Sequence, residues 1–216
     1  MADLNFQVES ADALPFAAAP QLIFKLRITD AENSAPIHAV ALRCQIRIEP
    51  AKRRYTPDEQ GMLPDLFGPP SRWGQTLRPM LWTHAAVVIP PFSGSTLVDL
   101  PVPCSYDLTL GATKYFHALE EGEVPLCLLF SGTIFYGTED GGMQVGQISW
   151  EKETSFRLPI EVWNKMMDLY YPNVAWLALR KDVFNRLAQY KSQRAIATWE
   201  QAMEELLCQA DQGALP

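Results

Sequence analysis

A strict alternation of side chains over residues 38–49 constrains the fold of this chain more than any other feature of its sequence. One set of alternating positions holds His38 and a series of apolar residues, and the other set holds polar residues that include Arg43 and Arg47. A β-strand points successive side chains to opposite faces of its sheet. The segment therefore predicts a strand whose apolar face, with His38 and Cys44 on it, packs on a core while the arginines face solvent.

The same kind of pattern recurs before and after this segment. The polar turn at residues 30–36 predicts that the strands on either side of it are antiparallel neighbours. The Gly-Gly turn at residues 141–142 predicts a hairpin between its flanking strands. Together the runs predict an antiparallel β-sandwich of about eight strands. Alternating or β-branched residues place the additional strands at residues 4–8, 22–29, 81–89, 96–102, 106–110, 126–136, 143–150 and 154–158.

Helical signals lie in one connection and at the C-terminal end. Residues from Thr56 to Glu59 combine an N-cap, a proline at the first helical position and a capping box. They predict a short helix near residues 57–67. After Pro159, apolar residues recur at helical spacing, which predicts helices over residues 160–169, 182–194 and from Thr198 onward.

The change of pattern at Pro159 divides the chain into two predicted regions. Residues 1–158 are expected to form the antiparallel β-sandwich, and residues 159–216 a C-terminal helical segment that packs on it or extends from it. Residues 112–119 fit either a continued strand or one short helix. The predicted fold class is α+β, an antiparallel β-sandwich followed by a C-terminal helical segment.

Charge and cysteine content exclude several classes of function. The net charge is -7 and the pI is about 5.0, so the chain lacks the surplus of Lys and Arg that broad binding to nucleic acid or anionic membranes requires. No apolar run is long enough to cross a bilayer, and residues 1–10 lack a signal-peptide pattern, so we expect a cytoplasmic protein without membrane insertion. The cysteines form no C-x-x-C pair, which excludes the usual zinc and iron–sulfur motifs and predicts free thiols.

Five residues form a concentration of positive charge in this acidic sequence: Arg43, Arg47, Lys52, Arg53 and Arg54. Arginine presents a rigid fork that matches carboxylate or phosphate groups. These residues are therefore candidates to bind an anionic ligand or an acidic surface of a partner protein. The alternative is a group of solvated surface charges.

The C-terminal quarter is rich in aromatic side chains, including Trp163, Tyr170, Tyr171 and Trp176. Trp and Tyr often anchor protein interfaces, because they combine a large apolar area with a polar group. These residues are therefore candidate contacts for a partner protein. The alternative is that they belong to the core.

Catalytic or metal-binding chemistry has little support in the sequence. The histidines His38, His84 and His117 belong to no H-x-x-x-H or H-E-x-x-H motif, and a site assembled from them by folding is the alternative to ordinary polar histidines. Asp107 lies near His117 in sequence, and a carboxylate beside a histidine is a candidate proton-transfer pair. The alternative is a solvated strand and turn.

Ser131 is a weak candidate for a nucleophile. It lacks the G-x-S-x-G motif, and the glycine that follows it, Gly132, is typical of a β-bulge. We therefore expect no catalytic residue, no bound metal and no cofactor.

A set of motifs spans the chain: residues 38–50, Leu66-Phe67-Gly68, Phe130-Ser131-Gly132-Thr133, Tyr170-Tyr171-Pro172-Asn173, Trp176 and Tyr190-Lys191. Together they resemble an uncharacterised bacterial protein family, a domain of unknown function, nearly from end to end. The resemblance implies a gene neighbourhood shared with accessory genes of actinobacterial-type NiFe hydrogenases. It thereby implies a role in hydrogenase maturation, assembly or stabilisation, and it supplies no catalytic residues.

These observations favour a non-enzymatic accessory or protein-interaction protein. The partner that the resemblance implies is a hydrogenase subunit or maturation factor. Two other classes stay open. One is a module that binds a small ligand, an anion or a sugar, through arginines and exposed aromatic residues. The other is an enzyme with a site assembled by the fold around His117 and Asp107.

Overall fold

The computed structural model describes residues 3–32, 36–104, 111–138, 141–172 and 179–213. The strands within these ranges are β1 (Leu4–Ala13), β2 (Gln21–Asp30), β3 (Ile37–Ile48), β4 (Met80–Ile89), β5 (Ser95–Pro103), β6 (Glu123–Gly137), β7 (Met143–Gln147) and β8 (Glu153–Pro159). The helices are α1 (Pro57–Met62), α2 (Pro64–Phe67), α3 (Trp73–Thr76), α4 (Gly111–His117), α5 (Ile160–Tyr170), α6 (Lys181–Gln193) and α7 (Trp199–Gly213). The strand predicted at residues 106–110 lies outside the described residues.

The strands form two antiparallel sheets. One sheet has the order β1-β2-β5, and the other has the order β4-β3-β6-β7, with β8 also paired to β6. β4 contacts β5 and β1 contacts β8, so the sheets meet along these edges and enclose a shared apolar core. The predicted fold class, α+β with an antiparallel sandwich and C-terminal helices, is confirmed.

β3 lies inside the larger sheet, between β4 and β6. Its alternate residues from Val40 to Ile48 are buried, as predicted. The predicted orientation of His38 is wrong, because the register shifts between Ile37 and Ala39. Ile37 takes the buried position and His38 is exposed. Such an irregularity changes which positions face the core, and alternation alone does not show where one falls.

The predicted pairing of the strands around residues 30–36 is also wrong. β2 lies between β1 and β5, whereas β3 lies in the other sheet, so this connection crosses between sheets. Asp30 ends β2, and its buried carboxylate accepts the amides of Asp3 (3.2 Å) and Glu32 (3.3 Å). Polar turn residues favour a change of chain direction in a hairpin and in a crossover alike, so they did not distinguish the two.

The hairpin between β6 and β7 is confirmed, but the bulge expected at Gly132 is absent. Gly132 pairs with Leu42 in a continuous register between β6 and β3. Its φ is 145°, and a Cβ at this position would lie 2.1 Å from the carbonyl oxygen of Ala41. Glycine is therefore required here for the close approach of two backbones.

The connection from β3 to β4 adds an aromatic cluster to the core. α1 begins with the predicted capping box, in which the Thr56 hydroxyl accepts the Glu59 amide (3.2 Å) and the Glu59 carboxylate accepts the Thr56 amide (3.0 Å). α4 shows that the ambiguous segment near residue 112 is helical. Four rings from this region pack edge to face with centroids 5.1 to 6.3 Å apart: Tyr55, Phe67, Trp73 and Tyr115.

The chain divides into two compact units, Met1–Trp176 and Leu177–Pro216. α5 belongs to the first unit, where it contacts β1, β2 and β8. The second unit contains α6 and α7. The predicted division at Pro159 into a strand region and a helical region stays a prediction. No helix in the described parts of the chain is both long and apolar enough to span a membrane.

Aromatic, ionic and hydrogen-bonding contacts join the two helices of the second unit, among them an ion pair between Arg194 and Glu205 (3.4 Å) and a hydrogen bond from the Gln209 side-chain amide to the Tyr190 hydroxyl (3.3 Å). The rings of Phe184 and Trp199 lie 5.4 Å apart, and the Tyr190 hydroxyl donates to the Glu205 carboxylate (3.2 Å). The Thr198 hydroxyl accepts the amide three residues later (3.2 Å). This hydrogen bond caps the start of α7, at the residue where the sequence predicted the last helix to begin.

Candidate functional site

The loop between β1 and β2, residues 14–20, exposes an unusual apolar surface. Its sequence, Leu-Pro-Phe-Ala-Ala-Ala-Pro, contains no polar side chain. Phe16 is 99% exposed and has a φ of 61°. The left-handed backbone costs a non-glycine residue about 1–2 kcal/mol. The loop therefore presents a large apolar side chain from a strained conformation, a combination that is often found at functional sites.

Tyr170, the last residue of α5, holds this loop in place. Its hydroxyl donates to the carbonyl of Leu14 (2.6 Å) and accepts the amide of Ala17 (3.0 Å). These two bonds bridge the backbone on both sides of Phe16. The Leu14 amide also donates to the carbonyl of Gln21 (3.0 Å). The conformation that displays Phe16 is therefore formed before any partner binds.

The sequence of α5 explains the position of Tyr170. Ile160, Trp163 and Met166 are spaced for one face of a helix, and all three are buried. Because α5 contacts β1 and β2, this face lies on the sandwich near the hairpin that those strands form. Tyr170 comes four residues after Met166 and continues the same side of the helix. Its hydroxyl thereby reaches the loop.

The elements next to this loop, α5 and the end of β1, expose both apolar and charged groups. Leu169, which precedes Tyr170, is 47% exposed. The ammonium of Lys165 in α5 lies 3.5 Å from the carboxylate of Asp12 at the end of β1, and both side chains are exposed. Protein interfaces use both kinds of group.

Two of the predicted basic residues lie on the outer face of β3. Arg43 is exposed and Arg47 is half-buried. Arg47 lies opposite Cys127 of β6. Burial raises the pKa of the Cys127 thiol, although a hydrogen bond from Arg47 opposes the shift. The thiol is therefore protonated near neutral pH, and this pair is not an activated nucleophile.

The three consecutive basic residues have different surroundings. The Lys52 ammonium pairs with Glu49 at the surface. Arg53 points inward: its side chain is 8% exposed and forms an ion pair with Glu59, which is 1% exposed. Arg54 is exposed. The structure therefore separates Arg53 from its neighbours, and the binding role proposed for the group stays a prediction.

The predicted aromatic contacts are also separated. Trp163 is buried and stacks on Phe116 with ring centroids 4.2 Å apart. Tyr170 uses its hydroxyl to hold the loop at residues 14–20, and Tyr171 is half-buried. Trp176 lies outside the described residues. Of these candidates, Tyr170 is the one that the structure connects to an exposed apolar surface.

The histidines occupy three different elements. His38, His84 and His117 are exposed on β3, β4 and α4. Asp107, the proposed partner of His117, lies outside the described residues. Within the described ranges, no group of three or more His, Cys, Asp or Glu residues is placed to hold a metal ion.

A buried tyrosine pair was not identified from the sequence. The Tyr115 hydroxyl donates to that of Tyr55 (2.8 Å), which in turn donates to the Pro50 carbonyl (2.8 Å). Burial raises the pKa of Tyr55 to about 12 and raises the pKa of Tyr115 as well. Both phenols are protonated near neutral pH. The pair therefore acts as a structural link and not as an acid–base pair.

The exposed position of Phe16 was also missed. The sequence indicated only a connection before β2. A usable signal was present, because residues 14–20 form a turn that has two prolines but none of the Gly, Asn, Asp or Ser residues that also stabilise turns. An apolar turn needs another source of stability, and here Tyr170 supplies it from a distant part of the chain.

Comparisons with known proteins give a family but no activity. The profile of a family of unknown function, DUF6084, matches residues 1–215. No curated protein matches the chain. Among solved structures, the crystal structure of the "Putative ApaA Protein" from Bordetella pertussis is similar, with 14% identity over 73% of this chain and 95% of that chain and a TM-score of 0.25. A TM-score this low carries no argument about fold or function.

Proposed function

We propose, from the premise that the chain belongs to this family of unknown function, that the protein is a non-enzymatic accessory protein that binds another protein through the loop at residues 14–20. The observation that carries the proposal is Phe16, which is 99% exposed at a φ of 61° on a loop held by Tyr170. In this proposal Phe16 inserts into an apolar pocket of the partner.

The energetics favour binding through this residue. Burial of a phenylalanine side chain is worth roughly 1.5–3 kcal/mol. The Tyr170 hydroxyl already restrains the loop, so binding loses little additional conformational entropy. A rigid aromatic residue that fills a pocket is the usual form of an interface hot spot.

The resemblance supplies the class of partner. It implies a subunit or a maturation factor of a NiFe hydrogenase, and we include this partner in the proposal. We also place the interaction in the cytoplasm, because the four cysteines are unpaired and free thiols are typical of reducing compartments.

The proposal is tested by co-purification of the tagged protein from its native host at moderate salt, with mass spectrometry of the retained proteins. Phe16→Gly is the decisive variant, since glycine removes the side chain and relieves the left-handed strain. We expect at least a tenfold loss of a stoichiometric partner together with an unchanged or higher Tm. Val88→Ala, at a residue that is 73% exposed on β4, is the matched control and should retain the partner.

Three outcomes separate the parts of the proposal. If Phe16→Gly retains the wild-type set of proteins, the loop is not the binding site. If its Tm falls by several degrees, Phe16 stabilises the fold and is not a binding residue. If the lost partner is neither a hydrogenase subunit nor a maturation factor, the hydrogenase part is wrong and the binding site stands.

A further inference from the structure

β7 is an edge strand with unpaired backbone groups. It pairs with β6 on one side, and the Ile148 amide donates to the carbonyl of Gly132 (3.0 Å). Because alternate residues of an antiparallel strand bond to the same neighbour, Gln144 and Gly146 also point their backbone groups toward β6. The backbone amides and carbonyls of the other three residues, Met143, Val145 and Gln147, then point away from the sheet. Among the described residues, no group bonds these outward amides and carbonyls.

At five residues this edge is short, which itself limits strand pairing, but it lacks other devices that prevent pairing. Exposed edges are normally protected by charged side chains, prolines or a covering segment. β7 has the sequence Met-Gln-Val-Gly-Gln, with no charge and no proline, and Met143 and Val145 are 65% and 58% exposed. The other long edges lie beside each other, with β4 against β5 and β1 against β8.

We propose that β7 pairs antiparallel with β7 of a second copy of this chain, about a twofold axis at Val145. The strand is complementary to itself in this register. Val145 lies opposite its own equivalent, and Met143 lies opposite Gln147. Within residues 143–147 no like charges meet, and the outward groups of Met143, Val145 and Gln147 form about six backbone hydrogen bonds.

A second copy fits the edge better than an unrelated strand for two reasons. The twofold arrangement is closed, so pairing stops at a dimer and does not continue into a fibre. The exposed Val145 side chains meet at the axis and bury each other, whereas a strand with a charged residue at this position would leave that charge beside an apolar side chain.

Disulfide trapping tests the register in the full-length chain. Cys208 is exposed and is replaced by serine in every variant. Val145→Cys should form a covalent dimer under mild oxidation, because directly opposed residues in a hydrogen-bonded pair have Cα atoms about 5.5 Å apart, within disulfide range. Met143→Cys is the matched control. Its two copies would lie about 13 Å apart along the paired strands and should not form a disulfide.

Sedimentation velocity gives an independent measurement. The wild-type chain should form a dimer, and Val145→Lys should be a monomer that still unfolds cooperatively, because the side chain is exposed in the monomer. Its Tm should match that of the wild type at concentrations low enough for the wild-type dimer to dissociate. Val88→Lys, a change of the same kind on β4, should remain a dimer. Phe16→Gly should also remain a dimer, which keeps this inference separate from the proposed binding loop.

Two results would overturn the inference. The first is a wild-type chain that stays monomeric at concentrations up to about 100 μM, far above the Kd of a specific protein interface. The second is equal cross-linking of Met143→Cys and Val145→Cys, which would show random collision of exposed thiols.

Discussion

Removal of the Glu59 carboxylate should destabilise the protein more than removal of any charge at its surface. Glu59 accepts three hydrogen bonds, from the Arg53 guanidinium, the Thr56 amide and the Glu120 amide. The Arg53 guanidinium also donates to two backbone carbonyls, those of residues 121 (2.7 Å) and 123 (2.8 Å). The pair thus joins the first turn of α1 to the segment before β6.

The magnitude follows from burial. The side chain of Arg53 is 8% exposed and that of Glu59 is 1% exposed, so Glu59→Ala leaves a buried positive charge without its carboxylate. Breaking such a pair typically costs about 3–5 kcal/mol. In a domain of this size each kcal/mol lowers Tm by about 2–4 °C. We therefore expect Glu59→Ala to lower Tm on the order of 10 °C.

Thermal unfolding followed by circular dichroism measures this change. Arg54→Ala is the matched control, since Arg54 is adjacent in sequence but exposed, and its effect should stay within about 0.5 kcal/mol. The double variant Arg53→Ala with Glu59→Ala should lose less stability than the sum of the single changes, because it leaves no unpaired charge. A Tm for Glu59→Ala within about 2 °C of wild type would refute the reasoning.

Two further predictions concern backbone packing and pH. Gly132→Ala should lower the free energy of unfolding by more than about 2 kcal/mol in urea titrations, because its Cβ would lie 2.1 Å from the Ala41 carbonyl oxygen at a φ of 145°. The control Gly74→Ala, with open space around the new Cβ, should not destabilise the protein. Equal effects of the two changes would contradict this account. Burial raises the pKa of Cys44 and of Cys104 from 9.0 to about 12, so the native state binds more protons than the unfolded state above pH 9. The contribution of these thiols should therefore be fully present below pH 9 and fall towards pH 12 by about 1.4 kcal/mol per pH unit for each thiol. Replacing both by alanine should remove that part of the slope and leave the part that Tyr55 and Tyr115, whose pKa values burial also raises, add above about pH 10.

The sequence predicted those features that depend on local patterns. Alternation over residues 40–48 placed the central strand correctly, because a period of two in the side chains is the period of a β-strand and not of a helix. The capping box from Thr56 to Glu59 located α1 for a similar reason, since its two hydrogen bonds involve neighbouring residues. The Gly-Gly hairpin between β6 and β7 was equally local.

The features that failed depend on distant parts of the chain. The register shift beside His38 reflects how β3 pairs with β6, and the crossover after Asp30 depends on which sheet accepts the next strand. Arg53 belonged to a charged run in sequence but is buried by its pairing with Glu59. The candidate site was missed for the same reason. The loop that exposes Phe16 is held by a hydrogen bond from Tyr170 to Leu14, and no local sequence pattern predicts that contact.

That hydrogen bond also sets an order of events during synthesis. It joins positions 156 residues apart, so the loop that emerges first from the ribosome acquires its final shape only after α5 has been made and docked. Domains generally fold as units during translation. A nascent or truncated chain that ends before Tyr170 would therefore carry Phe16 without displaying it. If the loop binds a partner as proposed, only molecules in which α5 has docked would present the binding conformation.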